Sequence, residues 1–192
     1  MDRQEWNDRY AAQPVLWDVD PGPFLAPEVG EVRPGGALDL GAGEGRTALW
    51  LAERGWQVTA VDFSEVALDR GRRRAASAGV GESIEWVCED LLDYSPVGRS
   101  FELVLSMFVH LPAPARHRLL GLAVDALSPG GVILVVGYDS THAVEGQGGP
   151  RDPAILFSPE AIVEDLPGLR VERAERLRVG DAVDAIVRAV KP

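Results

Sequence analysis

Short apolar runs along this chain alternate with stretches in which apolar residues return at helical spacing. Ala37-Leu38-Asp39-Leu40 predicts a buried strand that runs straight into Gly41-Ala42-Gly43-Glu44-Gly45. Arg46 to Arg54 reads as a helix, stopped by Gly55 in the left-handed cap position. Gln57 to Val61 is a second strand, β-branched at 58, 59 and 61. Ser64 can cap a helix whose positions Ala67, Leu68, Gly71, Ala75 and Ala78 share one face. Ile84–Cys88 and Phe101–Met107 are a third and a fourth strand. A helix over about 112–127 is stopped by Ser128-Pro129-Gly130-Gly131, and Val132–Val136 is continuously apolar, as a strand buried on both faces should be. Ser158-Pro159-Glu160 combines a cap, a proline and an acid at a helix start. Leu169–Val179 and Val183–Val190 then form a hairpin across Gly180-Asp181-Ala182.

This alternation predicts an α/β fold with a parallel sheet and right-handed crossovers, into which the terminal hairpin inserts one antiparallel strand. We read residues 1–192 as a single domain, because no repeat, low-complexity tract or internal linker interrupts them. Residues 1–35 form an N-terminal cap segment, with a short helix from Glu5 to Ala12 ended by Pro14 and then a stretch rich in Pro and Gly. Residues 137–157 read as a long loop without regular structure, and such loops are uncommon in compact domains unless they are functional. In open α/β sheets ligands sit beyond the C-terminal ends of the strands, so the chemistry is sought there.

Composition and charge remove several function classes. Of 192 residues 46% are hydrophobic and 26% charged, the profile of a globular chain, and no apolar run approaches the length of a membrane span. The start, Met1-Asp2-Arg3-Gln4-Glu5, lacks the apolar core of a secretory signal, and a single cysteine, Cys88, cannot form an internal disulfide. A cytoplasmic protein, monomeric or a homodimer, with no membrane partner is expected. A net charge of −11 disfavours nucleic acid. The only lysine is Lys191, so neither a phosphate-binding Walker loop nor Schiff-base chemistry has its residue. His110, His117, His142 and Cys88 lack the close spacing of a metal site, and no metal is expected.

The strand ends carry the candidate ligand groups. Gly41 and Gly43 permit positive φ and close approach of a ligand to the backbone, while Asp39 and Glu44 place two carboxylates beside them. A pyrophosphate would be repelled there, whereas a cation would be attracted, which favours S-adenosylmethionine over NAD. Asp62, ending the second strand, suits the two hydroxyls of a ribose, and Asp90 after the third strand suits an adenine amino group. His110, just past the fourth strand, is the candidate catalytic group, either as acid or base or as a hydrogen bond that fixes the loop. Arg70, Arg72, Arg73 and Arg74 form a basic cluster read as a solvated helix face.

Asp39-x-Gly41-x-Gly43-x-Gly45, Val61-Asp62-Phe63-Ser64, Glu89-Asp90-Leu91, Phe101-Glu102-Leu103-Val104 and Leu127-Ser128-Pro129-Gly130-Gly131 resemble the successive motifs of class I S-adenosylmethionine-dependent methyltransferases. Trp6-x-x-Arg9-Tyr10 with Trp17, Gly43-Glu44-Gly45-Arg46 and Phe108-Val109-His110-Leu111-Pro112 resemble, more narrowly, bacterial tellurite-resistance and thiopurine methyltransferases. The resemblance implies a Rossmann-like seven-stranded sheet ordered 3-2-1-4-5-7-6, with strand 7 antiparallel and helices on both faces. It implies S-adenosylmethionine as cofactor, held by Asp39, Gly41, Ala42 and Gly43, by Asp62 at the ribose, Phe63 against the adenine and Asp90-Leu91 at its edge, with Met107 and Trp17 also near. It suggests an acceptor with a soft nucleophile such as a thiol or chalcogen oxyanion. The net charge and the lack of a separate recognition domain point to a small molecule bound under the 137–157 loop, which follows the fifth strand and carries Tyr138, His142 and Arg151, with Arg9 and Arg151 offering planar forks to an oxyanion. Two departures stand out: Glu102 takes the place of a more usual Asp, and no Asn/Asp-Pro-Pro-Tyr sequence of amino-methylating enzymes occurs. A non-catalytic S-adenosylmethionine-binding domain and an NAD-dependent oxidoreductase are the alternatives.

Overall fold

A computed structural model describes residues 1–13, 20–96 and 98–192. In chain order the elements are α1 (Arg3–Ala11), α2 (Leu25–Val29), β1 (Gly36–Leu40), α3 (Arg46–Ala52), β2 (Gln57–Asp62), α4 (Glu65–Ser77), β3 (Ile84–Cys88), β4 (Phe101–Met107), α5 (Ala113–Ala126), β5 (Leu127–Tyr138), α6 (His142–Glu145), α7 (Pro159–Glu164), β6 (Arg170–Val179) and β7 (Ala182–Val190). The seven strands form one sheet in the order β3-β2-β1-β4-β5-β7-β6, with β7 antiparallel to its neighbours. The chain divides into two compact units, Met1–Tyr94 and Ser95–Pro192.

In the first unit β1, β2 and β3 pair in parallel, Ala37 opposite Val58 and Val58 opposite Ile84. The central strands have no solvated face: Ala37, Leu38, Val58, Ala60 and Val61 are all buried. Each buried Leu or Val side chain contributes about 1.5–3 kcal/mol, and this burial holds the strand ends in place. The caps are local and follow the sequence. Asp2 and Glu5 form a reciprocal capping box on α1, and Ser64 Oγ accepts from Ala67 N–H at the start of α4. Trp86 on β3 lies against two glycines, for a Cβ at Gly45 or at Gly71 would fall 2.3 or 2.4 Å from its ring. The third glycine of the loop is thus required by the indole and by its own φ of +76°.

In the second unit β4 and β5 are parallel, and β7 runs antiparallel between β5 and β6. Strand β5 is longer than its apolar run predicts. It starts at Leu127 and takes in Ser128-Pro129-Gly130-Gly131, which the register absorbs as an irregularity between Phe101 and Leu103. Lys191 closes the C-terminal end of α5, its Nζ donating to the carbonyls of Val124, Asp125 and Leu127. Arg116 and Asp165 form a buried ion pair of 2.6 Å that ties α5 to the turn after α7. The 137–157 segment is not structureless: β5 extends to Tyr138, α6 occupies His142–Glu145, and Asp139 bridges Phe157.

Candidate functional site

The glycine loop of the first unit is fastened to the end of β2. Gly41 and Ala42 N–H both donate to Val61 O, at 2.9 and 3.0 Å, and Gly41 and Gly43 have φ of +77° and +55°. Gly43 N–H donates to Asp62 Oδ2 at 2.8 Å, and Ser64 N–H donates to Asp62 Oδ1 at 2.8 Å. Asp62 is therefore aimed by two backbone amides, and each oxygen keeps a lone pair for a further donor. Burial pushes its pKa up, while the amides of Ser64, Gly43 and Phe63 pull it down. Asp90 receives Leu92 N–H on its Oδ1 and, with Leu91 and Phe63, is partly exposed.

Asp39 stands apart. It is buried, its Oδ2 has no hydrogen-bond partner among the described residues, and burial pushes its pKa up to about 7, with Arg46 opposing and the Asp62 charge adding. A buried carboxylate oxygen left without a donor is costly, and a cationic or N–H-bearing ligand would relieve that cost. Glu44, expected as a second negative charge in this loop, is instead buried in a 2.9 Å ion pair with Arg70, which is largely buried rather than part of a solvated face.

The N-terminal helix reaches this loop through Tyr10, which the resemblance motif contains without a role, and through Asn7, which no motif contains. Tyr10 is buried, and a Cβ at Gly43 would lie 2.8 Å from its hydroxyl. Asn7 Oδ1 accepts from Ser64 Oγ at 2.7 Å. The signal was present in the Trp6-x-x-Arg9-Tyr10 pattern, since positions 7 and 10 share a helix face. Arg9, expected at the acceptor, is exposed on α1 and lies over the Trp6 ring at 5.2 Å. Trp17 lies outside the described residues.

In the second unit the ends of β4 and β5 are lined by aromatic rings. Phe108, next after β4, has a φ of +59° and is the one non-glycine residue with positive φ among the described residues. Its ring meets Tyr138 edge-on at 5.3 Å, Tyr138 stacks on His110 at 5.4 Å, and His110 on Phe157 at 5.5 Å. Met107 is buried at the end of β4.

Both candidate histidines are tied to backbone. His110 Nδ1 lies 3.2 Å from Ile155 O, and its Nε2 accepts from Tyr138 N–H at 3.3 Å. Those partners require Nδ1–H and a neutral ring, and burial lowers its pKa to about 4, which the Ile155 carbonyl opposes. The lone pair that a general base would use is therefore committed, which favours the loop-fixing role over acid or base work. His142 is fully buried, with Nε2 on Gly148 O and Nδ1 accepting from Val183 N–H. It holds the 142–148 turn on β7, a correction to its expected place at the acceptor. Arg151 also departs from expectation, because its fork donates to the carbonyls of Ala143 and Gly146 at 3.1 Å each.

This strand order, a glycine loop after β1 and carboxylates at the ends of β1 and β2 define a class I S-adenosylmethionine-dependent methyltransferase. Residues 37–131 match the sequence model of a family described as a methyltransferase domain, and this segment belongs to that family. It is 36% identical over 99 residues to a ubiquinone biosynthesis O-methyltransferase of Idiomarina loihiensis, which covers 50% of this chain and 39% of that protein. It is 32% identical over 104 residues to the tRNA 5-carboxymethoxyuridine methyltransferase of Escherichia coli, covering 54% and 40%. The chain thus spans about two fifths of the length of these curated relatives. The crystal structure of the N-methyltransferase NodS from Bradyrhizobium japonicum, in complex with S-adenosyl-L-homocysteine, superposes with a TM-score of 0.78 at 19% identity, covering 99% of this chain and 98% of that one. S-adenosylmethionine is the cofactor of this family, and the unmet oxygen of Asp39 beside two positive-φ glycines fits its charge.

Proposed function

We propose that the protein transfers a methyl group from S-adenosylmethionine to a small molecule whose nucleophilic atom is soft and needs no deprotonation at the site, such as a thiolate. The observation that carries this reading is His110, whose two ring nitrogens are both spent on backbone partners and which burial keeps neutral. When bound, the cofactor supplies an electrophilic methyl group on a sulfonium. The chain's own residues bind and orient: Asp39 meets the ligand's cationic end, Asp62 the ribose, Phe63 and Asp90-Leu91 the adenine. Rate then comes chiefly from alignment of the reacting atoms. Tyr138 and the 137–157 segment form the acceptor wall. Arg151, engaged on two carbonyls, is less suited to an oxyanion than its position in the sequence suggested, which favours a thiolate over a chalcogen oxyanion.

Transfer of labelled methyl groups to a panel of small thiols, chalcogen oxyanions, phenols and amines tests the proposal. Turnover is expected with thiols. Turnover confined to phenols or amines would overturn the acceptor class, and cofactor binding with no turnover on any acceptor would point to a non-catalytic domain. Heat on titration with NADH but none with S-adenosylhomocysteine would overturn the cofactor as well.

A further inference from the structure

We propose that Asn7 is a positioning residue for the cofactor, acting through Ser64 on the carboxylate of Asp62. The inference rests on the reading of the first unit as the S-adenosylmethionine site and goes beyond it, by making the docking of α1 and the binding of the cofactor one coupled equilibrium.

A chain of short hydrogen bonds carries it. Ser64 Oγ donates to Asn7 Oδ1 at 2.7 Å, Ser64 N–H donates to Asp62 Oδ1 at 2.8 Å, and Asp62 Oδ2 accepts from Gly43 N–H at 2.8 Å. Ser64 is completely buried and Asp62 nearly so, which makes each link stiff and water-poor. The hydroxyl of Ser64 has two duties, since it also accepts Ala67 N–H as the cap of α4. Asn7 Oδ1 orients that hydroxyl by accepting its hydrogen bond, and so fixes the turn that presents Ser64 N–H to Asp62. One helical turn further on, Tyr10 brings its hydroxyl over Gly43, the other amide that holds Asp62. Helix α1 therefore touches both ends of the clamp on a single carboxylate. The termini of α1 are satisfied within the helix, by the Asp2–Glu5 capping box and by the Ala12 amide, so the Asn7–Ser64 bond is not needed to cap it. Because the Ser64 turn supplies one of these amides and Tyr10 lies over Gly43, which supplies the other, a ligand that draws on Asp62 stabilises the docked position of α1. The docked helix in turn raises affinity for that ligand by the same factor.

The test is a double-mutant cycle on S-adenosylhomocysteine affinity, measured by calorimetry with Asn7→Ala, Ser64→Ala and the combined variant. Hydrogen exchange of the α1 amides is followed in parallel. Asn7→Ala is expected to weaken binding about five- to tenfold, the loss of one partly buried hydrogen bond. The combined variant should bind no worse than Ser64→Ala alone, because the Asn7 effect passes through that hydroxyl. Ligand should slow exchange in α1 of the unsubstituted chain and lose most of that effect in Asn7→Ala. A purely structural role would lower the melting temperature of Asn7→Ala while leaving affinity and ligand protection of α1 unchanged, and that result would overturn the proposal. So would additive effects in the cycle. If the unsubstituted chain itself gives no heat with S-adenosylhomocysteine, the cofactor reading fails first and this inference with it.

Discussion

Two ionisable residues carry the sharpest consequences at the level of single side chains. With a folded pKa of about 7 against an ordinary 3.8, Asp39 binds a proton more readily in the folded state. Between those values the folded state holds more protons than the unfolded one, so this group makes the ligand-free protein less stable as pH rises from about 4 to 7. A cationic ligand favours the ionised form, so affinity should move the opposite way. S-adenosylhomocysteine is expected to bind about tenfold more weakly at pH 6 than at pH 8, with protons released on binding below pH 7. Asp39→Asn should flatten that dependence, bind more weakly at pH 8, and gain at least about 1 kcal/mol of stability there. Calorimetry in two buffers of different ionisation heat counts the protons, and a flat pH profile in the unsubstituted chain would remove Asp39 from the site. His110 gives the complementary expectation. His110→Asn removes the bonds that the ring makes to Tyr138 N–H and Ile155 O and should cost about 1–3 kcal/mol in a denaturation experiment. The turnover rate should fall less than about tenfold, where loss of a general base typically removes about 10²–10⁴. A thousandfold loss with intact cofactor binding would show that the acceptor needs deprotonation.

Whole elements show where the sequence was legible. The caps at Ser64 and Ser158 are readable because a cap's chemistry is complete within four residues. Helix α2 was not readable, because Leu25–Val29 is short and carries Pro27 inside a stretch rich in breakers. The extension of β5 through Ser128-Pro129-Gly130-Gly131 was hidden for the same reason: turn residues normally end elements, and here the pairing of Leu127 with Phe101 and the backbone bonds of Gly130 and Gly131 to Lys191 carry the strand through them. The roles of His110 and His142 depend on carbonyls 45 and 6 residues away and were beyond reach of any local pattern. Helix α4 offers a quantitative test. Gly71→Ala in a helix interior ordinarily stabilises by about 1 kcal/mol. Here the added methyl would lie 2.4 Å from the Trp86 ring, and overpacking should reverse the sign to a loss of about 1–3 kcal/mol. Urea unfolding measures it, and adding Trp86→Leu should restore the lost stability. A more stable Gly71→Ala chain would contradict the packing.

Across the molecule, topology was the most legible feature, since strand–helix alternation with a terminal hairpin leaves few arrangements of seven strands. Charge acts at the same scale. The sequence carries −11, and the exposed outer strand β6 mixes Arg170, Glu172, Arg173, Glu175, Arg176 and Arg178 rather than presenting one basic face. Such alternation blunts a sheet edge against strand addition and leaves no stripe for a phosphate backbone. Although one relative is a tRNA methyltransferase by name, this chain is expected to give no mobility shift with tRNA near physiological salt. A salt-sensitive, submicromolar shift would overturn that expectation.

The one lysine of the sequence has a wider consequence. Its ammonium is spent on three carbonyls at the end of α5, so it lies engaged rather than waiting in solvent. All other basic side chains except the histidines are arginines. This chain thus offers amine-directed reagents a single side-chain target, and that target gains reactivity when the end of α5 comes away from its neighbours. Acylation of Lys191 is accordingly a chemical clock for opening in one place, against a background where no other ε-amino group can report.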